Sequence, residues 1–231
     1  MDATQLTAED LDALRQFDTC VVANAVERFT LRLRNTGFTG AGIRCMFPDA
    51  APTVGYAVTA RLRCGEPPMK GGYFRDRTDF WNSILAIPAP RILVLEDIDD
   101  PPGQGSFVGD VQAAILKAVG CIGYLTNGAV RELPSVHTMG IQLFAGSIAV
   151  SHAYAHIFEV GAPIRIGGMD VNSGDLLHGD RHGVINVPLS IASEIPRVAA
   201  ELQSAERKVI EFCRSSSFSV DKLSEVMKTL A

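Results

Sequence analysis

The sequence contains few lysines, few aromatic residues and no long apolar run. Five of its 21 cationic residues are lysine, and Phe, Trp and Tyr make up 7% of its 231 residues. The net charge is -5 without a cluster of Lys and Arg, which argues against binding nucleic acid through its phosphates. No apolar stretch reaches the roughly 18 residues of a membrane span, so we predict no membrane partner.

Cysteine is also scarce, and its five positions are scattered without a CxxC pair. This pattern is typical of reduced cysteines and not of a disulfide framework. Residues 1–6 lack the basic and apolar regions of a signal peptide. We therefore expect a cytoplasmic protein.

Hydrophobic residues make up 47% of the chain, and the mean hydropathy is +0.16, which suits one domain with a large core. We predict a single α/β domain over residues 1–231, with a core over about 15–190 and C-terminal helices over about 190–231. Hydrophobic periodicity and turn residues predict strands over 54–64, 91–98, 121–126, 141–145, 147–151, 163–166, 175–177 and 183–187. They predict helices from Thr7, from Thr19, over 76–87, from Asp110 to Val119, from Pro188 through Cys213, and from Ser219.

The helix after Asp110 is the most informative of these elements. We expect Asp110 to be its N-cap, and its apolar face to comprise Val111, Ala114, Ile115, Ala118 and Val119. The strands on either side of it form a parallel βαβ unit, in which the loops after neighbouring strands meet in a crevice.

That crevice brings charged side chains and backbone donors together. Arg131 and Glu132 would approach Gly109, Asp110 and the unpaired N–H groups at 111–113. The arginine guanidinium and the free N–H groups suit the carboxylate of a small 2-oxo acid, and the two carboxylates suit a hard divalent cation. The alternative is a simple helix cap beside a solvated charge pair.

A glycine-rich loop over 103–109 suggests a nucleotide or S-adenosylmethionine site, but the dinucleotide fingerprint requires Gly where Val108 stands. A flexible connector explains this loop better, so a methyltransferase is a weaker hypothesis.

The spacing of Asp110 and Arg131-Glu132, with twenty residues between, resembles the D-x20-R-D signature of RraA-like proteins and of 4-hydroxy-4-methyl-2-oxoglutarate (4-carboxy-4-hydroxy-2-oxoadipate) aldolases. The surrounding segment GCIGYLTNGAVRE (120–132) is similar to the family motif, as are VNSGDLL (171–177) and DRHGV (180–184). The resemblance is strong over 105–190 and weaker over 15–100.

The resemblance implies an α/β/α swivelling-type domain with a mixed, barrel-like sheet, assembled as a homotrimer or hexamer. It also implies an aldolase or oxaloacetate decarboxylase that releases pyruvate through an enolate. Arg131 would bind the substrate carboxylate together with the backbone at Gly109, Gln112 and Ala113. Glu132 would anchor Mg²⁺ or Mn²⁺, and Asp110 would orient a metal-bound water that carries the proton.

One position departs from this pattern, because Glu132 stands where the family has Asp, and one extra methylene moves the carboxylate. Some RraA-like proteins are regulators that inhibit a ribonuclease, and this is the alternative function. As the family is understood, those proteins lack the acid found here at Asp110, which favours catalysis.

Four histidines and an acidic run complete the candidates. A helix over 152–156 would place His152 and His156 on one face, suited to a transition metal, but solvated loop histidines or a role at the pocket rim are alternatives. His178 and His182 form a second pair. Asp97, within the acidic run 96–100, is a candidate for the crevice wall.

Overall fold

The fold is described from a computed structural model, which covers residues 6–69 and 78–228. Helices α1 (Ala8–Leu14) and α2 (Thr19–Glu27) open the chain. Thr7 and Asp10 form the predicted capping box: the Asp10 N–H donates to Thr7 Oγ1 at 3.1 Å, and the Thr7 N–H donates to the Asp10 carboxylate at 2.9 Å. Helix α2 begins at Thr19 as predicted, and Asp18 is its N-cap.

The described strands form a central mixed sheet and two smaller ones. The central order is β1-β7-β5-β3-β2-β12-β13, with β9 also paired to β2, and neighbours among β2, β3, β5 and β7 run parallel. Strands β4, β6 and β8 form a parallel sheet, and β10 pairs with β11. The strands are β1 Arg44–Cys45, β2 Thr53–Arg63, β3 Arg91–Asp97, β4 Ser106–Val108, β5 Cys121–Thr126, β6 Ala129–Val130, β7 Gln142–Ala145, β8 Ser147–Ile148, β9 His156–Val160, β10 Ile164–Ile166, β11 Met169–Val171, β12 Leu176–Asp180 and β13 Gly183–Val187.

The central sheet is buried on both faces. In β3, Leu93 and Leu95 pack in one hydrophobic cluster, whereas Ile92 and Val94 pack in another. Strand β2 is buried almost throughout, so the one-sided alternation suggested by its sequence underestimates its burial. The predicted α/β fold with a mixed, barrel-like sheet and C-terminal helices is confirmed.

The remaining helices are α3 Thr78–Leu85, α4 Asp110–Ala118, α5 Leu133–Thr138, α6 Ile195–Arg214 and α7 Val220–Met227. Helix α7 is capped by Ser219 as predicted, but α6 begins at Ile195 and not near Pro188, because residues 191–194 form turns. Residues 76 and 77 of the predicted helix over 76–87 lie outside the described residues. In the part of the chain that is described, no helix has the length and apolar character needed to cross a bilayer.

The orientation of α4 corrects the sequence analysis. Its buried residues are Gln112, Ala113 and Leu116, whereas Val111 is 66% exposed and Ala114 and Ala118 are also exposed. The predicted apolar face is therefore turned away from the core. Several of its side chains line a cavity instead, as described below.

Candidate functional site

Two parallel strands deliver the candidate residues to one place. Strand β4 leads into Gly109 and α4, and its neighbour β6 leads into Arg131 and Glu132. The Arg131 N–H donates to Val108 O at 3.1 Å, so the pairing with the last residue of β4 continues one residue past the end of β6. Chain segments that leave parallel neighbours emerge at the same edge. The sequence analysis expected this arrangement from strands over 91–98 and 121–126, whereas the strands that carry these residues, β4 and β6, were not predicted.

Glu132 connects the two segments. Its Oε2 accepts a hydrogen bond from the Asp110 N–H at 2.8 Å, and its Oε1 lies 3.0 Å from Nη2 of Arg131. The Glu132 backbone is left-handed (φ 55°, ψ 38°), an uncommon conformation for this residue type. This backbone turn immediately precedes α5, so the carboxylate reaches back to the start of α4.

The close approach at Gly109 requires glycine for steric reasons. A Cβ atom there would lie 2.2 Å from Glu132 Oε2 and 3.0 Å from Arg131 Nε. Gly109 is also the N-cap of α4, and Asp110 is the first helical residue, which corrects the assignment of Asp110 as the cap.

The predicted free donors at the start of α4 are partly occupied. The Val111 N–H donates to Asp110 Oδ1 at 2.7 Å, and the Ala113 N–H donates to Gly109 O at 2.9 Å. Ala113 is fully buried and is not among the described residues that line the cavity. The prediction of a free Ala113 N–H is therefore wrong, because the first helical turn uses that group itself.

A cavity of about 780 Å³ opens at this point. Five predicted residues line it: Gly109, Asp110, Gln112, Arg131 and Glu132. The apolar part of its lining was not predicted, because the apolar face of α4 was expected to pack on the core and no spacing links the other segments to this helix. That part comprises Trp81, Phe107, Val111, Ile115, Val119 and Ala155, while Ser106 and His152 add polar groups.

Gln112 contributes a buried polar atom to this lining. The residue is 6% exposed, and its side-chain Oε1 has no hydrogen-bond partner among the described residues. A buried acceptor without a donor is costly, so a donor on a bound ligand would relieve this cost.

Asp97 is absent from the described residues that line the cavity, so its expected place in the crevice wall is not observed. Its carboxylate accepts the Gly103 N–H at 2.7 Å, and its main chain makes two hydrogen bonds with the Asn127 side chain, at 2.7 and 2.8 Å. Burial raises the pKa of the Asp97 carboxyl above its usual value. Asp97 therefore joins the loop before β4 to the turn before β6.

The histidines do not form the helical pair that the sequence suggested. His152 lies in a loop with Nδ1 2.7 Å from Ala153 O, and His156 begins β9 with Nδ1 2.8 Å from Tyr154 O. His152 lines the cavity, consistent with the rim alternative.

The second histidine pair is structural. His178 is fully buried in β12, with Nδ1 3.0 Å from Thr19 Oγ1 and Nε2 3.2 Å from Leu14 O. His182 Nδ1 lies 3.0 Å from Asp180 Oδ1. The two His178 contacts attach α1 and α2 to the sheet.

The donor chemistry at the cavity fits a hard cation. Asp110 and Glu132 supply two carboxylates on one wall, and Mg²⁺ commonly takes one or two protein carboxylates while water and substrate complete its shell. Among the described residues, groups of three potential ligands whose ligand atoms lie within 4.8 Å of one another occur away from this cavity: Asp18, Cys20 and His182, and Cys64, Asp97 and Asp99.

Comparison with curated proteins finds distant relatives of this chain. A relative from Halalkalibacterium halodurans, named "Putative 4-hydroxy-4-methyl-2-oxoglutarate aldolase", is 26% identical over 104 residues, which are 45% of this chain and 47% of that protein. The matched part thus spans about half the length of that curated relative.

Solved structures show the same fold. An uncharacterized protein from Pseudomonas syringae pv. tomato superimposes with a TM-score of 0.74 at 23% identity, covering 99% of this chain and 97% of that one. Streptomyces coelicolor RraAS2, described as an unusual member of the RNase ES inhibitor RraA family, gives a TM-score of 0.69 at 20% identity, covering 91% and 98%.

The family model described as RraA-like, Aldolase/RraA, matches residues 12–186, most of the chain and all of the candidate site. With the geometry above, this match establishes that the chain belongs to the RraA-like family, which includes both metal-dependent aldolases and non-catalytic regulators.

Proposed function

We propose that the protein is a divalent-metal-dependent lyase that cleaves a 4-hydroxy-2-oxo acid, or decarboxylates oxaloacetate, and releases pyruvate. The observation that carries this proposal is the convergence of Asp110, Arg131 and Glu132 on one cavity at the start of α4. The name of the Halalkalibacterium relative points to the same reaction class.

Arg131 is the residue that we assign to the substrate carboxylate. Its guanidinium is held by Glu132 at 3.0 Å and its side chain is 29% exposed, so it is oriented and still accessible to a ligand. Arg binds carboxylates through two parallel hydrogen bonds, which also fixes the orientation of the adjacent 2-oxo group. The Gln112 backbone at the helix start adds the positive end of the helix dipole.

Glu132 and Asp110 are the residues that would hold Mg²⁺ or Mn²⁺. When bound, the cation would polarise the 2-oxo group and favour the negative charge of the enolate. Glu132 is positioned by the Asp110 N–H and by Arg131, so its carboxylate is fixed before any ligand arrives.

Asp110 is the residue that we assign to proton handling. In the aldol cleavage the bond between C3 and C4 breaks, the C4 hydroxyl loses its proton and becomes a carbonyl, and C3 is then protonated. Because Asp110 Oδ1 accepts the Val111 N–H, we assign the proton, through one water, to Oδ2.

Pyruvate release from oxaloacetate and from 4-hydroxy-4-methyl-2-oxoglutarate tests this proposal, with Mg²⁺, with Mn²⁺ and with EDTA. We expect turnover that requires the metal. The absence of turnover with every substrate and metal, together with a stoichiometric protein partner recovered on purification, would instead favour a regulatory function.

Assembly into a homotrimer or hexamer is part of the same proposal. Ile148 is 62% exposed and Val150 is 98% exposed. Both lie close to the site: Ile148 pairs with Val130 of β6, and the Val150 carbonyl accepts a hydrogen bond from Arg131 at 3.5 Å. A contact with a neighbouring subunit would remove both side chains from water. Light scattering coupled to gel filtration measures the molar mass; a monomer at micromolar concentration would contradict this expectation.

A further inference from the structure

A second group of metal-ligating side chains lies where helix α2 meets the hairpin formed by β12 and β13. Asp18, Cys20 and His182 each place one ligand atom within 4.8 Å of the ligand atoms of the other two. All three residues are exposed, so an ion from solution reaches them directly. None of them is among the described residues that line the candidate cavity. We call these three residues the hairpin triad.

Backbone contacts bring the two segments of the triad together. Asp18 is the N-cap of α2 and Cys20 is the second residue of that helix, whereas His182 lies in the turn between β12 and β13. The Thr19 N–H donates to Asp180 Oδ2, at the end of β12, at 2.9 Å. The start of α2 is thus fixed to the hairpin by the fold itself, independently of the triad side chains.

The ring of His182 is oriented for metal binding. Its Nδ1 lies 3.0 Å from Asp180 Oδ1, and the same oxygen accepts the His182 N–H at 2.8 Å. The Asp180 side chain is 7% exposed, so this carboxylate is held firmly. A carboxylate that accepts the proton of Nδ1 leaves the lone pair of Nε2 free, and metal-binding histidines are commonly held in this way.

The local charge favours a cation. Asp18 Oδ1 accepts the Val21 N–H at 2.9 Å, which leaves Oδ2 for a ligand. The carboxylates of Asp18 and Asp180 also offset the positive end of the α2 dipole, because both accept N–H groups of its first turn. Arg181 is directed towards another carboxylate, with Nη2 3.3 Å from Asp49 Oδ1.

The donor set selects the metal. A thiolate, an imidazole and a carboxylate are all ligands of Zn²⁺, which often takes three protein ligands and one water. Bonds of about 2.0–2.3 Å place the ligands of a tetrahedral zinc ion about 3.5 Å apart, so rotations of exposed side chains close the remaining gap. Mg²⁺ prefers oxygen ligands, so the hairpin triad and the candidate cavity select different cations.

We propose that Asp18, Cys20 and His182 bind Zn²⁺ and that the bound ion fastens the start of α2 to the hairpin of β12 and β13. Cys20 binds as the thiolate: the sulfur–zinc bond forms as the thiol proton leaves to solvent, and water takes the fourth position. The ligands come from segments far apart in the sequence, so the ion binds the folded chain and stabilises it. This inference is independent of the proposed lyase activity.

Co²⁺ in place of Zn²⁺ makes binding to the thiolate visible, because a cobalt–thiolate bond gives a charge-transfer absorption band that oxygen ligands do not give. We expect this band at one equivalent of Co²⁺ in the native protein and equally in Glu132→Gln, and we expect Zn²⁺ to abolish it. Cys20→Ser should lose the band. The matched control is Cys213→Ser, at another exposed cysteine, which should keep it. No band in the native protein, or an undiminished band in Cys20→Ser, would overturn the inference.

The affinity for Zn²⁺ tests the histidine of the triad. In competition with a chromophoric chelator, His182→Gln should raise the Kd at least about 100-fold, since loss of an outer-shell partner alone costs about 10- to 100-fold. An unchanged Kd would show that His182 is not a ligand and would overturn the triad.

Thermal unfolding measures whether the ion fastens α2. All variants are compared in the Glu132→Gln background, which removes a carboxylate of the candidate cavity. With EDTA the additional Cys20→Ser and Cys213→Ser substitutions should leave the midpoint equal, because both positions are exposed. Zn²⁺ should raise the midpoint of the Cys213→Ser protein and not that of the Cys20→Ser protein. An equal rise in the two proteins would contradict the inference.

Discussion

The carboxylate of Glu132 accepts the backbone N–H of Asp110 at 2.8 Å, across 22 residues of sequence. This hydrogen bond joins the start of α4 to the segment after β6, and the same carboxylate orients Arg131. The site is therefore preorganised by its own residues. Preorganised donors and acceptors are worth more in catalysis than mobile ones, because no reorganisation is needed during the reaction.

Glu132 provides the first prediction. Glu132→Gln keeps the size of the side chain but removes its charge, so Mg²⁺ should no longer stabilise the protein. Thermal unfolding with and without Mg²⁺ measures this: an ion at a hundred times its Kd stabilises by about 2.7 kcal/mol. We expect that shift in the native protein and its loss in Glu132→Gln.

Glu132→Asp is the informative companion variant, since it restores the residue of the family pattern. Asp tolerates the left-handed backbone better than Glu does, so folding should be preserved. We expect the Mg²⁺ shift to persist. An undiminished shift in Glu132→Gln would show that the cation binds elsewhere.

Gly109 provides a steric test of the site. In Gly109→Ala the new Cβ would displace the ends of two flexible side chains, Glu132 and Arg131, without touching the core. We therefore expect little change in stability. We expect kcat/KM to fall about 100-fold, which is the loss that a displacement of catalytic groups by about 1 Å produces. The matched control is Gly42→Ala, where nothing lies within 4 Å of the added atom. Equal activity of both variants would contradict the geometry described.

Gln112 should show a trade-off between stability and function. Gln112→Met preserves volume and removes the buried Oε1 that lacks a partner, which should raise the free energy of unfolding by about 1 kcal/mol. Affinity for the substrate should fall, because the ligand loses that acceptor. Urea unfolding and steady-state kinetics on the same preparation measure both; a variant that is less stable and equally active would refute this role.

The buried side chain of His178 should make the free energy of unfolding depend on pH. Burial lowers the pKa of His178 below its usual value near 6.5, so the unfolded chain takes up the proton first as the pH falls. Its contribution to stability is complete above pH 6.5 and is lost below it, by at most about 1.4 kcal/mol per pH unit.

Urea unfolding at pH 7.5 and 5.5 measures this loss. His178→Gln should be less stable at pH 7.5, since it cannot reproduce both ring contacts, and should show a smaller difference between the two pH values. His152→Gln, at an exposed position, is the control and should behave like the native protein. An unchanged pH difference in His178→Gln would exclude this residue as the source.

The sequence predicted that Asp110 and Arg131 lie near each other better than it predicted the packing around them. Their proximity could be anticipated because loops that follow parallel strands meet, although the strands that carry them, β4 and β6, were not predicted. The contact between Glu132 and the Asp110 N–H could not, because it depends on the left-handed backbone of Glu132, which spacing does not reveal.

Helix α4 shows the same distinction. Its periodicity correctly predicted a helix, but the core lies against Gln112 and Leu116 while Ile115 and Val119 line a cavity. An apolar stripe predicts that one face of a helix is shielded from water, but it does not predict whether the core or another surface covers that face. Strand β9 and helix α5 were missed because they are short and partly exposed, so burial leaves a weak pattern in their sequences.

The most direct test of the account is metal-dependent pyruvate release by the native protein and by Arg131→Ala. We predict that the native protein releases pyruvate with Mg²⁺ and not with EDTA. Arg131→Ala, folded to the same thermal midpoint within a few degrees, should lose about 100- to 1,000-fold in kcat/KM, as expected when a charge-assisted anion contact is removed. Equal rates for the two proteins, or a native rate that EDTA leaves unchanged, would contradict it.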